Sequence, residues 1–388
     1  MMTHRSDPAQ GSVNDRAKLL LSPEPDWYER FISVKRFSGS VRASEYHLTN
    51  ACNIRCKGCW FFEFGHDKSA KEEKSLTEWE SFVLRERARG VNSALLIGGE
   101  PTMFPERIAA FARVMDTVSV STNGLLALPM NNLFSKVTVF ISLFGGGPLD
   151  DELRAIKPSG KAFSGLFDTA LTHYVNDPRA TFVYAVTEDG APYIEDTVRR
   201  IRDNGNKLTF NFYSKYNTGH PLRLRNGRQL LASMTEMKAR YPETVLNHPE
   251  HIRAIVTGEA WCGKFSGEVC PSVSFDHPEN KERLGNGHPI LPGFNAVKAD
   301  LKTLERCCTS GHCNDCRDSQ AVYSWLMVSL KSSLDSPSAL KLWIECAESY
   351  WSQFIWSPYR GVNPAQQSLF VPYGVPALAE VEPPNMIA

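Results

Sequence analysis

Between residues 44 and about 240, short runs rich in β-branched and aromatic side chains alternate with longer stretches whose apolar positions recur at helical spacing. Parallel strands joined by helices read this way in sequence. Six runs qualify as strands: SEYHL at 44–48, SALLIGG at 93–99, TVSVST at 117–122, KVTVFISLF at 136–144, ATFVYAVT at 180–187 and KLTFNFYS at 207–214. Among the helical stretches, SLTEWESFVLRERARG places Ser75 and Glu78 in capping-box spacing and ends at Gly90. PERIAAFARVM, FSGLFDTALTHYV, YIEDTVRRIRDNG and RQLLASMTEMKARY carry the same periodicity. Six βα units with right-handed crossovers predict an α/β fold, a partial (β/α)6 TIM-like barrel with ligands at the carboxyl ends of its strands.

The pattern changes after about residue 245, where Gly, Pro, His and Cys dominate up to Cys316 and few segments are periodic. Such a stretch is expected to be held by something other than an apolar core. SQAVYSWLMVSLKSS and ALKLWIECAESYWSQF then read as two helices packed on the body, and the Pro-rich tail from Pro358 as extended. The expected organisation is an N-terminal extension (1–40), the barrel (41–244), a Cys-rich unit (245–320) and C-terminal helices with an extended tail (321–388).

Composition narrows the chemistry. With 43 Lys and Arg against 43 Asp and Glu in 388 residues, no global field draws in nucleic acid or an anionic membrane. No apolar run approaches the ~20 residues of a membrane span, and the N-terminus lacks a signal-peptide core. A cytoplasmic location is expected. In a reducing compartment the ten cysteines are then better explained as metal ligands or redox centres than as disulfides.

Three of them stand in CNIRCKGC as Cys52-x3-Cys56-x2-Cys59, on a polar loop after the first strand. Three thiolates can bind three irons of a cuboidal 4Fe-4S cluster and leave the fourth iron open. The competing reading is a structural zinc site, which usually takes four closed ligands.

Taken together, Cys52, Cys56 and Cys59 after strand one, GGEPT (98–102) closing strand two and STNG (121–124) closing strand three resemble the radical S-adenosylmethionine (radical SAM) superfamily over about residues 44–215. The resemblance implies that S-adenosylmethionine chelates the open iron and that an electron from the cluster splits its sulfonium to a 5'-deoxyadenosyl radical. It further implies that Gly98 and Gly99 admit the methionyl group, that Glu100 positions its ammonium, and that Ser121, Asn123 and Ser142 touch the ribose or carboxylate. Val186 and Glu188 fall near where the superfamily packs adenine. Gly58 departs from the aromatic residue usual before the third cysteine, which bears on the adenine contact and not on the cluster.

A second group, Cys262 and Cys270 across a Gly-containing hairpin followed by Cys307, Cys308, Cys313 and Cys316, resembles the abbreviated auxiliary-cluster domain of the SPASM/twitch branch. The implied ligands of a second 4Fe-4S cluster are Cys262, Cys270, Cys313 and Cys316, with Cys308 a competitor for one place. A zinc knot is the alternative. Cys346, in a helical apolar pattern, reads as a core thiol.

Weaker features have plain readings. Lys215, Arg223, Arg225 and Arg228 form a basic loop, better read as solvated than as anion-binding. NHPEH (247–251) reads as a linker, because Pro249 argues against a regular helix. FGGGP (144–148) reads as a turn, and Trp60 to Phe62 with Phe64 either wall off a radical site or pack beneath the loop.

The expected function is a radical SAM enzyme acting on a small organic metabolite, with electrons from a flavodoxin or ferredoxin and no nucleic-acid or membrane partner. One alternative is maturation of a peptide substrate. An alternative of another class is a non-enzymatic zinc or iron-sulfur regulatory protein.

Overall fold

The computed structural model describes residues 12–212, 226–261, 263–264, 296–305 and 319–354. Two helices stand before the sheet, α1 (Val13–Leu21) and α2 (Pro25–Ser40), the first opened by a reciprocal capping box between Ser12 and Asp15. Then follow β1 (Ala43–His47), α3 (Trp60–Glu63), α4 (Leu76–Ala88), β2 (Ser93–Ile97), α5 (Pro105–Val114) and β3 (Thr117–Thr122). The second half of the sheet is β4 (Val137–Leu143), α6 (Gly147–Arg154), α7 (Leu166–His173), β5 (Ala180–Val186), α8 (Ile194–Asp203) and β6 (Lys207–Phe212), followed by α9 (Gly227–Arg240). Beyond it lie α10 (Pro249–Thr257), the strand pair β7 (Glu259–Ala260) and β8 (Gly263–Lys264), β9 (Ala296–Val297) and β10 (Leu304–Glu305). Helices α11 (Ser319–Val328), α12 (Leu330–Ser333) and α13 (Pro337–Phe354) complete the described chain.

Strands β1 to β6 pair in parallel in sequence order, β9 adds in parallel beside β1, and β10 runs antiparallel on the outside. The sheet is open, as a partial barrel requires, because β6 and β10 are its two edges. The β6 edge is not left bare: Val245 bridges Leu208, and the Asn247 side chain accepts from Phe210 N (2.6 Å) and donates to Phe210 O (2.9 Å), as another strand would. The β3–β4 connection contains no helix; Arg179 supports it instead by donating to the carbonyls of Leu128, Pro129 and Phe134.

The alternation along the strands separates two faces. Tyr46, Leu96, Val120, Ile141, Tyr184 and Phe210 belong to the main core against the helices, each 1% exposed or less. The opposite face carries Glu45, His47, Ser119, Ser121, Thr138, Ser142, Thr181, Thr209 and Asn211 in the same register. Covered parallel sheets are usually apolar on both faces. A hydroxyl-rich inner face, half-exposed at Ser121, Ser142, Val183 and Asn211, sets this sheet apart.

Two expectations are corrected here. NHPEH starts a helix, with His248 as N-cap accepting from Glu250 N and Pro249 in the first turn, the one place where a missing amide hydrogen costs nothing. His251, fully buried, then stacks on Tyr323 at 3.5 Å. Val186 lies on the helix-facing side of β5 with no exposure, so it is core and not a surface for a nucleoside. The side chain of Glu188 lies outside the described residues, as do Lys215, Arg223 and Arg225. Arg228 is exposed in the first turn of α9.

The N-terminal extension docks on the last helix. Arg30 grips Glu348 with two bonds of 2.9 and 2.6 Å, Phe31 packs on Trp343, and Phe37 meets Trp351 edge-on. The far end of α13 reaches the inner face of β6, where Gln353 accepts from Thr209 Oγ1 at 2.5 Å. No helix of the described residues is long and apolar enough to cross a membrane.

Candidate functional site

Cys52, Cys56 and Cys59 lie half-buried on the loop that leaves the carboxyl end of β1. Its first part is fastened to the ends of β2 and β3. Gly99 N donates to Thr49 O (2.9 Å) and Glu100 N to Ala51 O (2.8 Å). This approach explains both glycines: a Cβ on Gly99 would stand 1.9 Å from Ala51 O, and one on Gly98, at φ +122°, 2.7 Å from Thr49 O.

Glu100 is fully buried, and four bonds from its own neighbourhood hold its carboxylate. Oε1 accepts from Thr102 N, Thr102 Oγ1 and Thr122 Oγ1, and Oε2 accepts from Asn123 N at 2.8 Å. Burial pushes this carboxyl up against the pull of those donors. Asn123 in turn donates from Nδ2 to Asn53 Oδ1 at 2.7 Å, so the STN end of β3 reaches into the cysteine loop. Ser121 and Ser142, both half-exposed, sit on the inner face near the carboxyl ends of β3 and β4.

A second brace comes from residues the sequence reading passed over. Glu72 accepts from Asn50 N (2.9 Å) and Thr49 Oγ1 (3.1 Å), and Arg107 donates both to Glu72 (2.8 Å) and to Leu48 O (2.7 Å). The buried Arg107 guanidinium rests 4.3 Å over the Phe104 ring.

The later part of the loop meets α6. Arg55 N donates to Ile156 O (2.7 Å) and Lys57 N to Leu153 O (2.8 Å), while Ile54, 1% exposed, packs with Ala155 and Leu166. Arg154, 2% exposed, lies 3.3 Å from both carboxylate oxygens of Asp150 and donates to the Ser142 carbonyl, at the end of α6 where the backbone pairs with residues 55 and 57 on either side of Cys56. Asp150 also accepts from Phe144 N at 2.6 Å. The glycine run before α6 makes this return possible: Gly145, Gly146 and Gly147 have φ of +152°, +65° and +50°. The only sequence signal for the pair was Asp150 and Arg154 at i and i+4 in the first helix after a strand end.

The aromatic residues after Cys59 divide their work. Phe61, 1% exposed, packs 5.3 Å from His47 on the inner face of β1, and Trp60 lies 5.1 Å from His66. Phe62 carries the Arg55 guanidinium 3.9 Å above its ring.

Burial raises all three thiols. Cys52 is pushed up to about 12 and Cys59 to about 11, and Cys56 moves the same way, with Arg154 pulling it back. Thiols so placed ionise when a cationic centre shares the site, as metal ligands do. Among the described residues no three His, Cys, Asp or Glu side chains converge on one point as a single metal ion requires. A cuboidal cluster takes each thiolate on a different iron, so three half-buried thiols on one loop beside a buried cation fit it. Cys262, Cys270, Cys307, Cys308, Cys313 and Cys316 lie outside the described residues. Cys346 is buried in α13, its Sγ 3.3 Å from His248 Nδ1.

The family model described as the radical SAM superfamily matches residues 46–214. The sporulation killing factor maturation protein SkfB of Bacillus subtilis (strain 168) is 31% identical over 117 residues, 28% of this chain and 28% of SkfB. The chain thus matches well under half the length of that relative. Among solved structures, native anSMEcpe with bound AdoMet and a peptide superposes with a TM-score of 0.45 at 14% identity, over 69% of this chain and 74% of the other. Streptococcus suis SuiB bound to S-adenosylmethionine gives 0.43 at 14%, over 69% and 63%. The stretch that carries the cysteine loop and the strand ends around it, residues 46–214, thus matches a radical SAM domain.

Proposed function

We propose that the protein is a radical SAM enzyme that matures a peptide. The observation that carries the first half is the half-buried cysteine trio at the carboxyl end of β1, locked between the ends of β2 and β3 and the buried Arg154. The second half rests on the relative named for maturation of a sporulation killing factor, and it displaces the small metabolite expected from sequence. A small metabolite remains the second reading.

In this proposal Cys52, Cys56 and Cys59 hold a 4Fe-4S cluster. When bound, that cluster supplies the electron that cleaves S-adenosylmethionine to a 5'-deoxyadenosyl radical. The chain's own residues do the rest. Gly98 and Gly99 keep the loop against β2, and Glu100 and Asn123 fix the end of β3 against Asn53, so the thiols are positioned before any ligand arrives. Ser121 and Ser142 offer hydroxyls to the polar groups of S-adenosylmethionine from the inner face. Phe61 and Trp60 exclude water beside the third cysteine. Cys262, Cys270, Cys313 and Cys316, with Cys308 competing for one place, would hold an auxiliary cluster, and a flavodoxin or ferredoxin would deliver electrons.

The test is anaerobic purification followed by iron and sulfide analysis and electron paramagnetic resonance of the dithionite-reduced protein, with and without S-adenosylmethionine. Expected are a cubane signal that changes on adding the nucleotide, and 5'-deoxyadenosine formation stimulated by a peptide. Zinc in place of iron would end the enzyme reading. Stimulation by small molecules alone would return the substrate to the metabolite class.

A further inference from the structure

The Arg154 side chain is anchored far more heavily than a helix terminus needs. It is 2% exposed, its guanidinium is ion-paired with Asp150, it donates to the Ser142 carbonyl, and the backbone bonds from Arg55 N to Ile156 O and from Lys57 N to Leu153 O hold Cys56 alongside it. Asp150 is itself fixed by the Phe144 amide across the three-glycine turn, so neither partner can swing away. The other two cysteines stand outside this bracket: Cys52 follows the stretch tied to the end of β2 by Glu100 N to Ala51 O, and Cys59 caps the start of α3. One corner of the trio therefore carries a permanent cation that solvent does not screen.

We infer that Arg154 is a positioning residue that sets the reduction potential of the cluster held by Cys56, making it easier to reduce, and that Asp150 limits the size of this effect. The inference rests on the cluster reading above. Reduction adds one negative charge to the cluster, and hydrogen bonds and net charge at the sulfurs are among the levers that set such potentials. A fixed guanidinium stabilises the reduced form more than the oxidised form. The carboxylate 3.3 Å behind it cancels part of that field, so the net effect is moderate.

The measurement is the midpoint potential of the cluster, by potentiometric titration followed by electron paramagnetic resonance, on full-length protein without S-adenosylmethionine. In R154Q the reduced fraction at a fixed solution potential should fall about tenfold, which is ~59 mV downward for a one-electron couple. In D150N, which leaves the guanidinium less offset, the potential should rise. A merely structural role would not move the two variants in opposite directions. Iron and sulfide content, read first, separates the failures. Wild-type protein without a cluster overturns the cluster reading, whereas loaded wild type and loaded R154Q with equal potentials overturn only this inference. If R154Q takes up no iron, D150N decides, and a potential that does not rise overturns the proposal.

Discussion

Residues 49–53 and residues 55–57 are consecutive parts of one loop, yet they are held by different means. The first part is tied to the ends of β2 and β3 by two backbone bonds and an amide pair, and to the Glu72 carboxylate; its buried charge nearest a thiol is Glu100, which burial and four donors hold in place. The second part rests on α6, whose last residue sets a buried cation alongside Cys56. Glu100 aside, the first brace shapes the loop, and the second sets a buried cation beside it. Breaking the first should therefore cost stability and iron loading, without shifting the potential of whatever cluster remains.

The largest effect should come from G99A. The added methyl would stand 1.9 Å from the Ala51 carbonyl, a backbone atom that cannot swing aside. Its cost should exceed the ~1–3 kcal/mol of ordinary overpacking. The expected readout is a lower thermal midpoint together with loss of bound iron; a variant as stable and as iron-rich as wild type would show that the loop is not pressed onto β2.

R107M comes next. It leaves the Glu72 carboxylate buried with only the exposed Lys74 ammonium, 3.0 Å away, as a cation, and should cost about 3 kcal/mol, the lower end for breaking a buried pair. Denaturant unfolding measures this. Residual cluster in R107M should keep the wild-type potential, in contrast to R154Q.

Glu72 also gives the first brace a pH dependence. Burial opposes its charge, but the Asn50 amide, Arg107 and Lys74 outweigh it and hold the carboxyl below its ordinary value. Its contribution is therefore complete above the unfolded value, roughly pH 4.3, and is lost as pH falls through the lower folded value. E72Q should be less stable than wild type by about 2 kcal/mol at neutral pH, with the gap closing under acid conditions. A gap that stays constant from pH 7 to pH 3 would refute the assignment.

The two braces also differ in how far sequence revealed them. GGE and STN lie at strand ends, where tight backbone approach demands glycine and a short amide reaches a neighbouring loop, so position in the chain carried the information. The strands were legible for a related reason: TVSVST and KVTVFISLF alternate between core and inner faces, and the pairing register follows that alternation. Asp150 and Arg154 were not legible. On a helix, an i, i+4 ion pair normally faces solvent, and only the turn through Gly145 to Gly147 aims this one inward. Pro249 misled because proline interrupts a helix interior but opens a helix well. The docking of α2 on α13 escaped because it depends on contacts such as Arg30 to Glu348, more than three hundred residues apart.

The smallest effect tests the link between β3 and the loop. Asn123 Nδ2 and Asn53 Oδ1 are 2.7 Å apart, while Asn123 Oδ1 separately accepts from Leu125 N at 2.9 Å. N123A alone therefore removes two bonds, and its cost overstates the link. A double-mutant cycle with N53A isolates the shared bond, because N53A leaves the Leu125 contact intact. The coupling should be about 1 kcal/mol, the usual net worth of a neutral hydrogen bond. A coupling near zero would mean that β3 and the loop are held together by Glu100 alone, through the Asn123 amide at 2.8 Å. In that case E100Q, which keeps one acceptor and turns the other into a donor facing a donor, should loosen iron binding more than either asparagine variant.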